Sequence, residues 1–330
     1  MPFPIKRMLD HRLPSSSSMR VMVHKEFSDH IRSWKFIILL GIITLACIGS
    51  IYTSITALRE GGGAEHEASG FLFLQMFTLT DGSLPSFIDF ISFLGPLMGI
   101  ALGFDAVNTE RSKGTLSRII SQPVYRDDFL KAKFLAALML VTVVVFSLGL
   151  LVMGLGLLTI GFPPTPEEFW RVIFFQLASV VYVGFWLNLS ILLSVRFRQG
   201  ATSALAGISI WIFFTIFYNM LLNLAAKGLA PDRGASAESI LSYQELMLML
   251  GRLSPAQLFS EATTTLLLPT VRSLGPLTME QIVGALPTPL PLAQSLLLIW
   301  PQLTGLAAAT MVCFGLAYYL FMRQEIRSRS

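Results

Sequence analysis

The chain has 330 residues, of which 53% are hydrophobic and only 13% charged, with a formal net charge of +4. Soluble domains carry roughly 25% charged residues, so this composition, with a mean hydropathy of +0.66, excludes an ordinary soluble protein and points to an all-α polytopic membrane protein. The net charge says little by itself; the distribution of the charges says more.

Residues 1–18 read as a polar tail ending in four serines, Ser15 to Ser18. Over 19–34, Val23, Phe27, Ile31 and Trp34 recur at helical spacing, with Arg20, Lys25, Asp29 and Arg32 between them. This pattern predicts an amphipathic helix along the membrane surface, or at the least a basic flank orienting the first span. Six runs reach the roughly 20 apolar residues that a bilayer crossing needs. They are Phe36–Leu58, Ser86–Phe104, Phe134–Ile160, Phe169–Val195, Ala201–Ala226 and Ser295–Met322. The run Phe71–Thr80 is too short to cross and reads as a re-entrant or interfacial piece, and Gly95-Pro96 predicts a kink in span two. The first run is too long, and follows too many polar residues, to read as a cleavable leader. Cys47 and Cys313 fall inside apolar runs and read as unpaired buried thiols.

Between spans two and three lies the charged segment Asp105–Lys133, which cannot sit in hydrocarbon. Leu116, Ile119 and Ile120 give it an apolar stripe, predicting a short helix over about Thr109–Ser121; Pro123 ends it, and Asp127 or Asp128 supplies a cap for the next helix. An ordered, charged helix between two spans is a docking element. Between spans five and six, residues 227–292 carry two further amphipathic stretches, Ala237–Arg252 and a helix started by Ser254-Pro255 that runs to Leu268, followed by the proline-rich stretch Leu286–Pro291. This loop reads as a small helical cap.

Lysine and arginine set the orientation. Lys6, Arg7, Arg12, Arg20, Lys25 and Arg32 precede span one, Arg111, Lys113, Arg118, Arg126, Lys131 and Lys133 follow span two, Arg196 and Arg198 follow span four, and Arg323, Arg327 and Arg329 follow span six. By the positive-inside rule both termini and the 105–133 segment are cytoplasmic, and the 227–292 cap is extracytoplasmic. The domain plan is then a tail at 1–18, an interfacial helix at 19–34, spans one to five over 35–226, the outer loop at 227–292, and span six with the C-terminus at 293–330.

The chain has no G-x-x-x-x-G-K-[ST] loop, no H-E-x-x-H and no C-x-x-C, and its histidines (His11, His24, His30 and His66) lie outside the spans. Asp89 and Arg171 stand near outer span ends, where a side chain reaches water. The mid-membrane carboxylates of an ion-coupled carrier are missing. The milder polar residues Gln176, Asn188, Asn219 and Asn223 either line a substrate path or hydrogen-bond between helices.

Glu110, Gly114, Thr115, Leu116, Pro123, Arg126 and Lys133, in that order and spacing, resemble the first cytoplasmic loop of the ABC-2 type permeases, the membrane subunits of ABC transporters. Leu253–Pro269 (LSPAQLFSEATTTLLLP) and Phe321–Ser328 (FMRQEIRS) are similar to a bacterial and archaeal subgroup that includes the nitrous-oxide-reductase maturation permeases. The resemblance implies six spans with both termini inside, a multi-pass protein of the inner membrane, and export driven by two copies of a separate cytoplasmic ATPase that holds ATP and Mg. It further implies a second permease copy, most simply a homodimer, and no catalytic residue, metal or cofactor on this chain. The coupling residues would be Glu110, Arg111, Lys113, Gly114, Thr115, Leu116, Arg118 and Ile119, with Gly114 allowing close backbone approach. The outer loop leaves room for an extracytoplasmic partner, and no nucleic acid is implied. The alternative is a membrane scaffold or regulator that docks a cytoplasmic partner and moves nothing.

Overall fold

A computed structural model describes residues 16–60, 71–115, 126–231, 236–269 and 289–323, and these are all helix and connecting turns. Six helical segments among them are long and apolar enough to cross a membrane. In chain order the elements are α1 (Ser16–Ile31), α2 (Trp34–Glu60), α3 (Leu72–Thr78), α4 (Phe87–Gly103), α5 (Asn108–Ser112), α6 (Arg126–Ile160) and α7 (Pro166–Arg196). They continue with α8 (Gly200–Ile212), a π-helical turn at Phe213–Phe217, α9 (Tyr218–Leu229), α10 (Ala237–Gly251), α11 (Pro255–Leu267) and α12 (Leu292–Arg323). The remainder of the tail, residues 116–125 of the 105–133 segment, residues 286–288 of the proline-rich stretch and the piece after Arg323 lie outside the described residues.

The fourth span, α7, is the most buried of the six and packs against α4, α6, α8, α11 and α12. Its start is fixed locally. Thr165 and Glu168 form a reciprocal capping box and Pro166 occupies the first turn. Inside a bilayer, apolar burial gives little drive for helices to associate, so close backbone packing has to supply it. Here it comes from a stripe on α4, Gly95, Gly99 and Gly103, spaced by four. A Cβ on Gly99 would stand 2.7 Å from both the Leu187 N and the Val183 O of α7, and one on Gly103 would stand 2.7 Å from the Leu187 O. The two backbones touch.

Pro96 sits inside this contact, and α4 stays helical through it. A proline inside a helix leaves the carbonyl four residues earlier without its donor. That carbonyl belongs to Ser92, and the Tyr182 hydroxyl of α7 donates to it at 3.0 Å. Tyr182 in turn stacks on Phe259 of α11, with ring centroids 4.3 Å apart. The neighbouring helix replaces what the proline removes.

The short run after span one forms α3, which buries Phe73, Leu74, Met76 and Phe77. It is held by the Ser54 hydroxyl, which donates to the Met76 and Leu79 carbonyls at 3.1 and 2.9 Å, and by the Phe73 N–H, which donates to the Glu168 carboxylate at 2.9 Å.

Arg171 does not reach water as expected. It is 0% exposed. Its guanidinium pairs with Glu167 at 2.9 Å and donates to the Leu266 carbonyl at 3.0 Å, to the Ser295 hydroxyl at 3.2 Å and to the Leu290 carbonyl. A buried guanidinium needs partners for all its N–H groups. α11 and the start of α12 supply them, so one side chain ties three elements together. A second buried charge, Glu261 of α11, accepts from Arg252 at 2.9 Å, from Gln302 at 3.0 Å and from Gln257 at 3.2 Å. The predicted helices at 237–252 and 255–268 are α10 and α11.

The glycine seam predicts a sharp position dependence. Gly99→Ala should destabilise the protein by about 1–3 kcal/mol through overpacking, because the atoms it would meet are backbone and cannot rotate away. Gly154→Ala, where an added Cβ meets nothing within 4 Å, should leave stability unchanged. Thermal unfolding of the two purified variants in detergent distinguishes them.

Candidate functional site

The charged segment between spans two and three is anchored at its start. Span three begins far outside the apolar band: α6 has 35 residues, about 52 Å of helix at 1.5 Å per residue, against a hydrocarbon core of about 30 Å. Its first turns project beyond that band, and α1 packs along them. Both Asp127 and Asp128 lie within α6, so neither is the cap expected from the sequence.

The expected stripe on α1 is only half used. Val23 and Phe27 are half-buried, whereas Ile31 is exposed and Trp34, already in α2, is 77% exposed. The inward face carries Met22, Glu26 and His30 instead. Glu26 meets Lys133 of α6 at 2.8 Å, and the Lys133 side chain is only 7% exposed. The Lys133 ammonium also lies 5.0 Å from the centre of the Phe129 ring.

Glu110 joins this pair from α5. Its carboxylate is 3.8 Å from both Lys133 and Lys25, accepts a hydrogen bond from the Thr115 hydroxyl, and belongs to a side chain 13% exposed. Glu110 therefore faces inward, towards α1 and α6. Next to it, Lys35 of α2 pairs with Asp105 and lies 4.5 Å from the centre of the Phe104 ring. A polar cleft of about 450 Å³ opens among Glu26, His30, Lys35, Asp105, Glu110 and Lys133.

Titration of these groups follows their surroundings. Burial by itself would raise the Glu26 carboxyl, but Lys133 and then Lys25, each by its charge and its hydrogen bond, together outweigh burial and hold the carboxyl below its ordinary 4.5. Burial would likewise lower Lys25, but Glu26 and Glu110 keep it above its ordinary value. Burial lowers His30.

The predicted helix over Thr109–Ser121 is interrupted. α5 ends at Ser112, and the chain turns at Lys113–Gly114, with Gly114 at φ +68, a backbone conformation that glycine adopts without the Cβ clash. Helix resumes at Thr115. Of the proposed coupling residues, Arg111 and Thr115 are half-buried, Lys113 and Gly114 are exposed, and Leu116, Arg118 and Ile119 lie outside the described residues. The other side of the turn is fixed to the end of α7. The Val107 and Asn108 N–H groups donate to the Ser194 hydroxyl at 3.0 and 3.3 Å. The Asn108 amide, oriented to satisfy its neighbours, donates to the Phe197 carbonyl at 2.7 Å and the Ser194 carbonyl at 3.0 Å.

The four polar span residues divide into two pairs. Gln176 and Asn188 are fully buried within the chain. Gln176 lies against Gly149 with neither amide atom hydrogen-bonded, and Asn188 donates to the Thr310 carbonyl of α12 at 2.8 Å. Asn219 and Asn223 are exposed on α9, in the least buried of the six spans. Glu26, Lys35, Asn108 and Ser194 were not singled out from the sequence. Glu26 is the only acidic residue on the inward face of α1, and its spacing of four from Met22 and His30 was the available signal.

Removing one member of the buried pair strands the other charge. Lys133→Met should destabilise the protein by about 3 kcal/mol or more, and Lys133→Met with Glu26→Gln should recover part of that loss, a coupling visible in a double-mutant cycle of unfolding midpoints. Because Glu26 titrates below its ordinary value, its contribution is present at neutral pH and lost only as the pH falls through that lowered value.

Comparison with known proteins bears on what this arrangement serves. The sequence profile of the ABC-2 family transporter proteins matches residues 20–326. The protein named "Probable ABC transporter permease protein NosY" of Stutzerimonas stutzeri is 25% identical over 203 residues, covering 61% of this chain and 68% of that one. Its namesake of Pseudomonas aeruginosa is 23% identical over 208 residues, with the same coverage of each chain. An ABC permease is the non-catalytic membrane component of its transporter and works with an ATPase. A match over nearly the whole length, on a bundle of six membrane-length helices, makes this chain a member of the ABC-2 family of transporter permeases.

Proposed function

We propose that this chain is the permease of an ABC exporter in the inner membrane, with both termini and the 105–133 segment on the cytoplasmic side, coupled through that segment to two copies of the ATPase. The observation that carries this reading is that the described start of the segment is tied down. Glu110 ties it to α1 and α6 through Lys25 and Lys133, and Ser194 and Asn108 tie it to the end of α7. A push on the turn is therefore delivered to the interfacial helix and to spans two, three and four together. In this scheme Glu110 positions the turn, while Arg111, Lys113, Leu116, Arg118 and Ile119 face the ATPase, and Gly114 and Thr115 form the bend between them. ATP and Mg stay on the partner. The residues 227–292 form an extracytoplasmic cap over the pathway, held through α11 by Arg171 and Tyr182.

The chain works as a homodimer, with the pathway between the copies lined by Asn219 and Asn223. An exposed amide costs several kcal/mol in hydrocarbon unless it is satisfied. Asn219 donates only to Thr215 of its own helix, at 3.2 Å, and both amides stand on one stripe, four residues apart. A second copy or a polar cargo would satisfy them. Gln176 and Asn188 serve packing between spans.

Two experiments test this. Purified with its ATPase, the permease should stimulate ATP hydrolysis, and Glu110→Ala combined with Leu116→Ala should abolish that stimulation while leaving membrane insertion intact. Unchanged co-purification and stimulation would remove the coupling assignment and favour a scaffold. In a variant lacking Cys47 and Cys313, Asn219→Cys should form a disulfide-linked dimer in membranes under mild oxidation. Failure of Asn219→Cys and Asn223→Cys alike would place the dimer face elsewhere.

A further inference from the structure

Span two is held in two different ways on the two sides of Pro96. On the inner side the contact with α7 is backbone on backbone at Gly99 and Gly103, and the Ser190 hydroxyl donates across it to the Ile100 carbonyl at 3.1 Å. Just past the end of α4, the Val107 and Asn108 N–H groups donate to the Ser194 hydroxyl of α7. On the outer side the neighbours are side chains. Phe87 packs edge-on against Phe77 of α3 and Phe175 of α7, with ring centroids 5.3 and 6.1 Å apart, and Phe93 packs against Trp211 of α8 at 4.9 Å. A Cβ on Gly95 would meet the Val183 side chain rather than backbone. Side chains change rotamer and let a helix shift; backbone in direct contact does not. Between the two halves stands the Ser92 carbonyl, which Pro96 leaves without a helical donor and which the Tyr182 hydroxyl satisfies.

Tyr182 also answers to a third element. Its ring is buried and lies flat on Phe259, with 9° between the planes. α11 runs down beside α7 to reach it: the Leu266 carbonyl meets Arg171, and Phe259 meets Tyr182, about 16 Å further along α7 at 1.5 Å per residue. A hydroxyl on a stacked ring moves when its stacking partner moves, and a helix that carries a proline bends most easily there. We propose that Pro96 is a working hinge in span two and that Tyr182 is its latch, set by the position of α11 through Phe259. When α11 shifts, the hydroxyl leaves the Ser92 carbonyl, and the outer half of α4 swings while the inner half stays on α7. Tyr182 is then a positioning residue that joins the outer loop to span two. The proposal rests on the permease reading above for its use, which is to open the outer end of the pathway as the helices between spans five and six move.

The latch is tested on the full-length permease alone, in detergent, by hydrogen exchange of the α4 amides in wild type, Tyr182→Phe, Pro96→Ala and the double variant. Alanine at 96 supplies the N–H that the Ser92 carbonyl lacks. Tyr182→Phe should speed exchange over Phe87–Gly95 by about three- to tenfold, the worth of one hydrogen bond, and should change it little in the Pro96→Ala background. Phe259→Leu should speed the same exchange, and add little once Tyr182 is Phe, a comparison that leaves Pro96 untouched should its variant fail to fold. Equal effects of Tyr182→Phe in both backgrounds, or full additivity of Tyr182→Phe and Phe259→Leu, would overturn the latch. The hinge is tested with the ATPase present: Pro96→Ala should retain the ATPase as wild type does, yet stimulate hydrolysis several-fold less, because the helix is now closed by its own N–H. A Pro96→Ala permease with full stimulation would mark the proline as structural only and overturn the hinge. Wild-type permease that stimulates no ATPase would instead overturn the permease reading, and the exchange data would still decide the latch.

Discussion

Helices in a bilayer cannot gain much by hiding apolar surface from one another, because the lipid is as apolar as they are. The contact on which this bundle depends is accordingly one of backbone against backbone. Gly95, Gly99 and Gly103 let α4 lie directly on Val183 and Leu187 of α7. Once that pair is fixed, its surroundings follow. Tyr182 reaches the carbonyl that Pro96 leaves bare, and the Ser190 hydroxyl donates to the Ile100 carbonyl at 3.1 Å across the same seam. α6, α11 and α12 then pack on the remaining faces of α7.

The two ends of this core are treated differently. At the start of α7, Arg171 and Glu168 are buried and fully engaged, holding α3, α11 and the beginning of α12 as one block. At the other end the charges form a looser set. Glu26 and Lys133 are close and nearly buried, but Glu110 stands 3.8 Å from each of its lysines, and the cleft beside it is open.

Span five stands apart. It is the least buried span, it is interrupted by a π-helical turn at Phe213–Phe217, and it exposes Asn219 and Asn223 alongside Met220 and Leu224. Such a turn inside a helix widens the backbone and is frequent at functional sites. Its place on the least covered helix fits a surface that meets another molecule rather than one that holds the bundle together.

Much of this was legible in the sequence. The six membrane-length runs, the short run at 71–80, the helices after Ser236 and Ser254 and the charged segment at 105–133 follow from hydropathy, helical period and capping chemistry, which are local properties. The Gly-x-x-x-Gly spacing at 95, 99 and 103 was equally visible, although only Pro96 was read from it. Local pattern did not reveal which polar residues find one another. Arg171 stands near a span end, where arginine usually snorkels, and only the arrival of α11 and Leu290 from about 100 residues away buries it. Glu110 looks like an outward contact until Lys25 and Lys133 are brought to it from α1 and α6. Gln176, Asn188, Asn219 and Asn223 are alike in sequence, and the rotation of each helix about its axis divides them into interior and surface. The sequence by itself determined which segments cross the membrane and where helices start, because those depend on transfer free energy and backbone hydrogen bonding within a few turns. Only the tertiary structure decided which charges pair and which face is left open, because these depend on contacts between residues far apart in the chain.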